Sequence, residues 1–251
     1  MDSKYLYNFT VYENKENVIE DASVNEETGE ETIVKKKVVE KSPVQIFIKK
    51  PSRRQIEDAD LEYSVEISKC IKRGILTKAM LAKKYSDSGG AMSEQESGKL
   101  VDLYKSIYDS QAQLSRLESI SEKTEEINKK INETLALLQN SRKEIIEIES
   151  SYRSLFDHTA DSKAQNKVLL WYILNLSYVK RPLDESPKPY FSGSDFEDKL
   201  QDFYQKEESA DEQYVQISKK LSTLMAFWFF NQASTTEDFE ELDKKIESGE
   251  L

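Results

Sequence analysis

The residue types that perform most enzyme chemistry are scarce in this sequence. It contains one His, His158, and one Cys, Cys70. Asp157 and His158 have the residue types of a catalytic dyad, but a nucleophile would have to come from elsewhere in the chain. Cys70 has helical spacing with Ile67 and neighbours Ile71, which is typical of a small buried hydrophobic residue. Neither residue predicts a catalytic site.

The carboxylates and glycines do not have the spacing of a cofactor site. The acids at 57–60 and 195–198 have the chemistry to bind a divalent cation, yet they lie near predicted helix starts, where the helix dipole stabilises them. The only Gly pair, Gly89-Gly90, has no lysine at the spacing of a phosphate-binding loop. One Cys excludes an internal disulfide and a Cys-based zinc site. The sequence therefore predicts a protein without enzyme activity, cofactor or metal.

The composition favours a charged helical protein. Of 251 residues 33% are charged and 37% hydrophobic, with only 7 Gly and 5 Pro, so tight loops are few. The net charge of −11 opposes a general role in coating nucleic acid. No signal-peptide pattern and no run of 18 apolar residues occurs, which predicts a cytoplasmic protein without a membrane segment.

The first fifty residues alternate like strands of a small antiparallel sheet. Three short strands are predicted near 5–11, 33–39 and 44–48. The acidic stretch 13–31 predicts a solvated hairpin excursion with its turn at 25–29. Residues 35–54 are basic, so we expect opposite charges to face each other across the strands.

Helices are predicted to follow the sheet. Ser52 is a cap for a helix whose apolar stripe runs over 56–71 and which ends at Gly74. A shorter helix over 76–85 completes a helical hairpin before the loop at 86–90.

A heptad pattern over 100–152 predicts a long coiled-coil-like helix. Ten of its sixteen a and d positions are apolar. Such a helix must pair with a second copy, with another protein, or with itself by folding back near 119–124. No Gly or Pro occurs between Lys99 and Arg181, which favours one long helix. The predicted oligomerisation residues are Leu103, Leu117, Ile131, Leu135, Leu138 and Ile145.

The C-terminal region predicts its own helical core. Residues 168–176 are apolar nearly all round, 181–193 form a Pro-rich loop, and a helix over 215–230 ends in four aromatic residues. Successive side chains of a helix point in different directions, so at least one of the four is expected to be exposed. We expect Trp171 and Trp228 to be core residues, and the predicted partner-binding residues are Phe227, Phe229 and Phe230.

The N-terminal region is basic within an acidic protein. Three explanations stay open: this region neutralises the acidic excursion or tail of its own chain, it docks an acidic partner, or it contacts nucleic acid. The candidate residues are Lys49, Lys50, Arg53, Arg54, Lys72 and Arg73.

Parts of the sequence resemble proteins of large contractile-tailed bacteriophages. Segments 46–54, 63–66 and 71–81 resemble the N-terminal part of such proteins, and 226–230 with 236–239 is similar to phage tail-assembly chaperones and baseplate-associated proteins. The resemblance covers a minority of the chain and contains no catalytic signature. It implies a role in virion morphogenesis and transfers no functional residues.

These observations predict a mostly α-helical chain with a small N-terminal antiparallel β-sheet, a long coiled-coil-like helix and a C-terminal helical bundle. The predicted segments are 1–88, 93–160 and 161–251. The predicted function is a non-enzymatic protein–protein interaction factor, either a chaperone-like phage tail-assembly factor or a minor virion component. Its partners would be acidic phage structural proteins or a second copy of the chain. The alternative is a nucleic-acid-associated protein that uses the basic N-terminal region.

Overall fold

The computed structural model describes residues 4–24, 31–120, 123–209 and 211–250. The predicted turn at 25–29 and the heptad residue Ser121 lie outside them. The chain divides into two compact units: the first comprises Met1–Ala59 and Val168–Leu251, the second Asp60–Lys167. The three consecutive segments predicted from the sequence do not coincide with these units, because the N-terminal strands pack with C-terminal helices.

The predicted fold class, mostly helical with a small antiparallel sheet, is confirmed. The strands are β1 (Tyr5–Val24), β2 (Glu31–Lys49), β3 (Ser177–Lys180) and β4 (Lys188–Pro189). The helices are α1 (Arg53–Lys72), α2 (Lys78–Ser88), α3 (Glu94–Glu118), α4 (Glu125–Ser151), α5 (Arg153–Phe156), α6 (Ala160–Leu176), α7 (Phe196–Ser209), α8 (Glu212–Phe229) and α9 (Thr236–Ser248).

The sheet of the first unit has the order β1-β2-β3-β4, with every neighbouring pair antiparallel. The three short strands predicted from the sequence are instead two long strands, because the backbone ladder continues through the lysines at 35–37. The Cα register places Glu20 opposite Lys35, as the charge pattern predicts. The short strand β3 pairs with Gln45–Ile48 and was not predicted.

The core of the first unit forms at the base of this hairpin. Tyr7, Phe9 and Val11 alternate with exposed or half-buried neighbours and are buried. The Tyr7 ring stacks on Phe239 of α9 at 5.3 Å between centroids. Helices α8 and α9 therefore cover the apolar face of the hairpin base.

A buried lysine joins these helices to β1. The Lys220 side chain is 11% exposed, forms ion pairs with Asp243 and Glu247, and lies 4.9 Å from the centre of the Phe9 ring. The Tyr7 hydroxyl donates a hydrogen bond of 3.0 Å to Asp243. Because Lys220 has these partners, its burial does not leave an uncompensated charge.

The predicted long helix is instead two antiparallel helices of the second unit, α3 and α4. Lys99 pairs with Glu144 at 2.7 Å, whereas Ser106, further along α3, hydrogen-bonds Ser141, which lies earlier in α4, at 3.2 Å. The turn uses Ser and Thr in place of Gly or Pro: the Ser119 hydroxyl donates to the Arg116 carbonyl at 2.7 Å. Folding back near 119–124, which the sequence left open as an alternative, is what the structure shows.

The apolar stripe of the heptads is largely covered within the chain. Leu138 and Ile145 are 6% exposed, and Ile145 belongs to a buried cluster against which Leu103 packs. Leu117 and Ile131 are half-buried, and Leu135 is 39% exposed. Since α3 and α4 cover each other, the premise that this stripe needs a second chain does not hold. Homo-oligomerisation remains a prediction, and the apolar stripe no longer supports it.

We predict that Leu138→Ala destabilises the second unit by about 2–5 kcal/mol, because it removes a buried side chain from the α3–α4 contact. The adjacent Leu137 is 52% exposed, and Leu137→Ala should change stability by less than about 0.5 kcal/mol. Urea unfolding followed by circular dichroism measures both. Equal stability of the two variants would contradict the observed packing of α4.

Candidate protein-docking surface

Four of the predicted basic residues lie together in sequence at the junction of β2 and α1. We call Lys49, Lys50, Arg53 and Arg54 the basic strip. Lys50, Arg53 and Arg54 are exposed and Lys49 is half-buried. All four belong to the first unit.

The junction that carries the strip is held by reciprocal hydrogen bonds. The Ser52 backbone N–H donates to the Gln55 side-chain oxygen at 3.1 Å, and the Gln55 backbone N–H donates to the Ser52 hydroxyl at 3.3 Å. The Lys50 backbone N–H also donates to the Lys4 carbonyl at 3.0 Å. These bonds satisfy backbone groups that the start of α1 would otherwise leave unpaired, so the cap predicted at Ser52 is confirmed.

The charges of the strip are only partly compensated. Arg53 pairs with Glu57 at 3.1 Å, but the two side chains are 94% and 64% exposed, so the bond is weak in water. The Lys49 ammonium lies 5.6 Å from the centre of the Tyr178 ring. In the part of the chain that the structure describes, no carboxylate forms an ion pair with Lys50 or Arg54.

The two remaining predicted basic residues do not join this strip. Lys72 is the last residue of α1 and Arg73 follows it, so both lie at the opposite end of that helix from Arg53. They also belong to the second unit. The six predicted basic residues are therefore divided between the two units, four in the first and two in the second. Gly74, with a φ of +79°, ends that helix as predicted.

The predicted aromatic surface lies at the end of α8. Phe227 and Phe229 are half-buried and Phe230 is 48% exposed, as expected for successive helical positions. Trp228 is half-buried, not a fully buried core residue, and its ring meets Tyr172 edge-on at 5.2 Å. Trp171 is buried, as predicted.

Sequence reasoning missed a polar cluster in the second unit. The Lys78 ammonium pairs with Glu149 at 2.5 Å, and the Tyr104 hydroxyl also donates to Glu149. Burial and the Glu149 carboxylate raise the pKa of Tyr104, which stays protonated. The Lys78 backbone N–H donates to Asp161 at 2.6 Å. These residues lie far apart in sequence. The ion pair and the hydrogen bonds join their helices, and each of the polar groups named here has a partner.

Cys70 and His158 lie in different settings in the described part of the chain. Burial and the Glu66 carboxylate raise the pKa of the Cys70 thiol, which disfavours the reactive thiolate. His158 is exposed. Within the described ranges no group of three or more His, Cys, Asp or Glu side chains is placed to hold a metal ion. None of the helices described is long and apolar enough to span a bilayer.

Comparison with known proteins identifies no relative: no protein-family model, curated protein or solved structure matches this chain.

We predict that Trp228→Ala lowers the stability of the first unit by roughly 2–3 kcal/mol, because it removes the half-buried ring that packs on Tyr172. Phe230→Ala, which truncates an exposed ring, should cost less than about 1 kcal/mol. Thermal unfolding followed by circular dichroism compares them. A larger loss of stability for Phe230→Ala than for Trp228→Ala would contradict the observation that Trp228 is the more buried of the two.

Proposed function

We propose that this chain is a non-enzymatic protein–protein interaction factor that binds an acidic segment of a partner protein through the basic strip. One observation carries the proposal: the exposed cations Lys50 and Arg54, which have no ion-paired carboxylate among the described residues, stand on a hydrogen-bonded junction in a chain of net charge −11. Such a local positive surface attracts an acidic segment even though the protein as a whole is acidic.

The strand register argues against neutralisation of the strip by the acidic part of β1. In the Cα register Glu13 is paired with Ser42, and Glu16 and Glu20 are paired further out along the hairpin, whereas Lys49 lies at its base. The seven residue steps from Ser42 to Lys49 span ~23 Å of extended strand. That distance exceeds the screening length of about 8 Å at physiological salt, so these acids act weakly on the strip.

The resemblance to phage proteins supports a setting for this activity, and we propose tail assembly or a minor place in the virion. The two roles differ in one measurable respect. An assembly factor is absent from purified particles, whereas a virion component is present at fixed stoichiometry. Mass spectrometry of purified particles distinguishes them.

The strip is tested by the charge reversal Lys50→Glu, Arg53→Glu and Arg54→Glu. The matched control, Lys105→Glu, Arg142→Glu and Lys143→Glu, changes the net charge equally on exposed residues of the second unit. We expect the strip variant to bind a fluorescent poly-glutamate peptide at least about tenfold more weakly than the wild-type chain. The control variant should bind the peptide as the wild type does. Both variants should have the melting temperature of the wild type, since exposed charges contribute little to stability.

Fluorescence anisotropy with the same variants and a short DNA duplex addresses the alternative. Tighter binding to DNA than to the peptide, with a steep salt dependence lost in the strip variant, would replace the proposal with a nucleic-acid role. Equal weakening by both variants would show that only net charge matters and would contradict a specific surface.

A further inference from the structure

A cavity of about 120 Å³ opens in the first unit between the sheet and the start of α8. Val44 of β2, Val179 of β3 and Ile217 of α8 line it with buried apolar side chains. Tyr190 and Tyr214 also line it. Its apolar part is therefore formed by the core of the unit.

Two buried polar atoms of residues that line this cavity have no hydrogen-bond partner among the described residues. They are Nε2 of Gln213 and the hydroxyl of Tyr214, whose residue is only 6% exposed. Burial raises the pKa of Tyr214, and the nearby Ser218 side chain lowers it. The Ser218 and Tyr214 hydroxyls do not reach hydrogen-bond geometry. Buried donors without acceptors are costly. An acceptor bound in the cavity would satisfy both.

The rim of the cavity carries two cations, Lys206 and Arg181, and the Asp211 carboxylate. Lys206 pairs with Asp202, and the Asp211 carboxylate accepts the backbone N–H of Gln213 as the cap of α8. The Arg181 side chain forms no ion pair with any carboxylate among the described residues. A guanidinium group binds a carboxylate through two parallel hydrogen bonds.

We infer that this cavity is a binding site for a carboxylate on a short apolar stem, with Arg181 pairing the charge, Gln213 and Tyr214 donating hydrogen bonds, and the stem resting on Val44 and Val179. A glutamate side chain of a partner protein and a free short-chain carboxylic acid share this chemistry. A phosphate dianion fits less well, because it would place a second charge against the apolar floor. The site goes beyond the proposed function and does not involve the basic strip.

Titration of the ¹⁵N-labelled full chain with propionate, followed by NMR, tests the site. We expect saturable shifts of the Gln213 side-chain amide and the Tyr214 backbone amide. The neutral isostere propionamide should produce none at the same concentration. Arg181→Gln should weaken propionate binding at least tenfold, whereas the control Arg142→Gln, in the second unit, should leave it unchanged.

Tyr214→Phe separates binding from folding. It removes an unpaired buried hydroxyl without changing the shape of the ring, so we expect weaker propionate binding with an equal or higher melting temperature. A lower melting temperature with unchanged affinity would assign the hydroxyl a structural role and overturn the inference. Absence of saturable shifts, or equal shifts with propionamide, would overturn it as well.

Two blocked tripeptides distinguish the sources of the carboxylate. Tighter binding of Gly-Glu-Gly than of propionate, with no binding of Gly-Gln-Gly, indicates a partner side chain, and the reverse order indicates a free acid. The strip variant should bind propionate as the wild type does, so failure of the proposed function and failure of this site are separate results.

Discussion

Burial of the hairpin base under α8 and α9 is the interaction on which the first unit depends. An isolated two-stranded ribbon is at best marginally stable in water. Here Tyr7 and Phe9 obtain their partners from Phe239 and Lys220, more than 200 residues later in the chain. The strand β3, which extends the sheet beside β2, also comes from the C-terminal part. The junction with the basic strip and the cavity beside α8 both take their positions from this long-range contact.

The local features of the fold were predictable from the sequence because their causes are local. The cap at Ser52 and the end of α1 at Gly74 each depend on residues within one or two turns. The alternation of Tyr7, Phe9 and Val11 likewise identified the buried face of β1. Composition and caps together were sufficient for the fold class.

The features that the sequence did not predict depend on contacts between distant residues. The lack of Gly and Pro favoured one long helix, but Ser119 and Thr124 end and restart the helix through their side chains. A short strand such as β3 has too few residues for a pattern and forms because β2 offers an open edge. The cavity joins Val44 to residues from 179 to 217, a combination that no sequence spacing reveals.

We propose that this protein acts by binding an acidic segment on a positively charged surface that is held in a fixed position. We propose that the residues at the β2–α1 junction act together, since Lys72 and Arg73 belong to the other unit. Hydrogen–deuterium exchange of the full chain, with and without poly-glutamate, tests whether the acidic peptide binds at this junction. We expect protection at the backbone amides around 49–56 with smaller changes elsewhere. Protection confined to other segments, or none at this junction at saturating peptide, would contradict it.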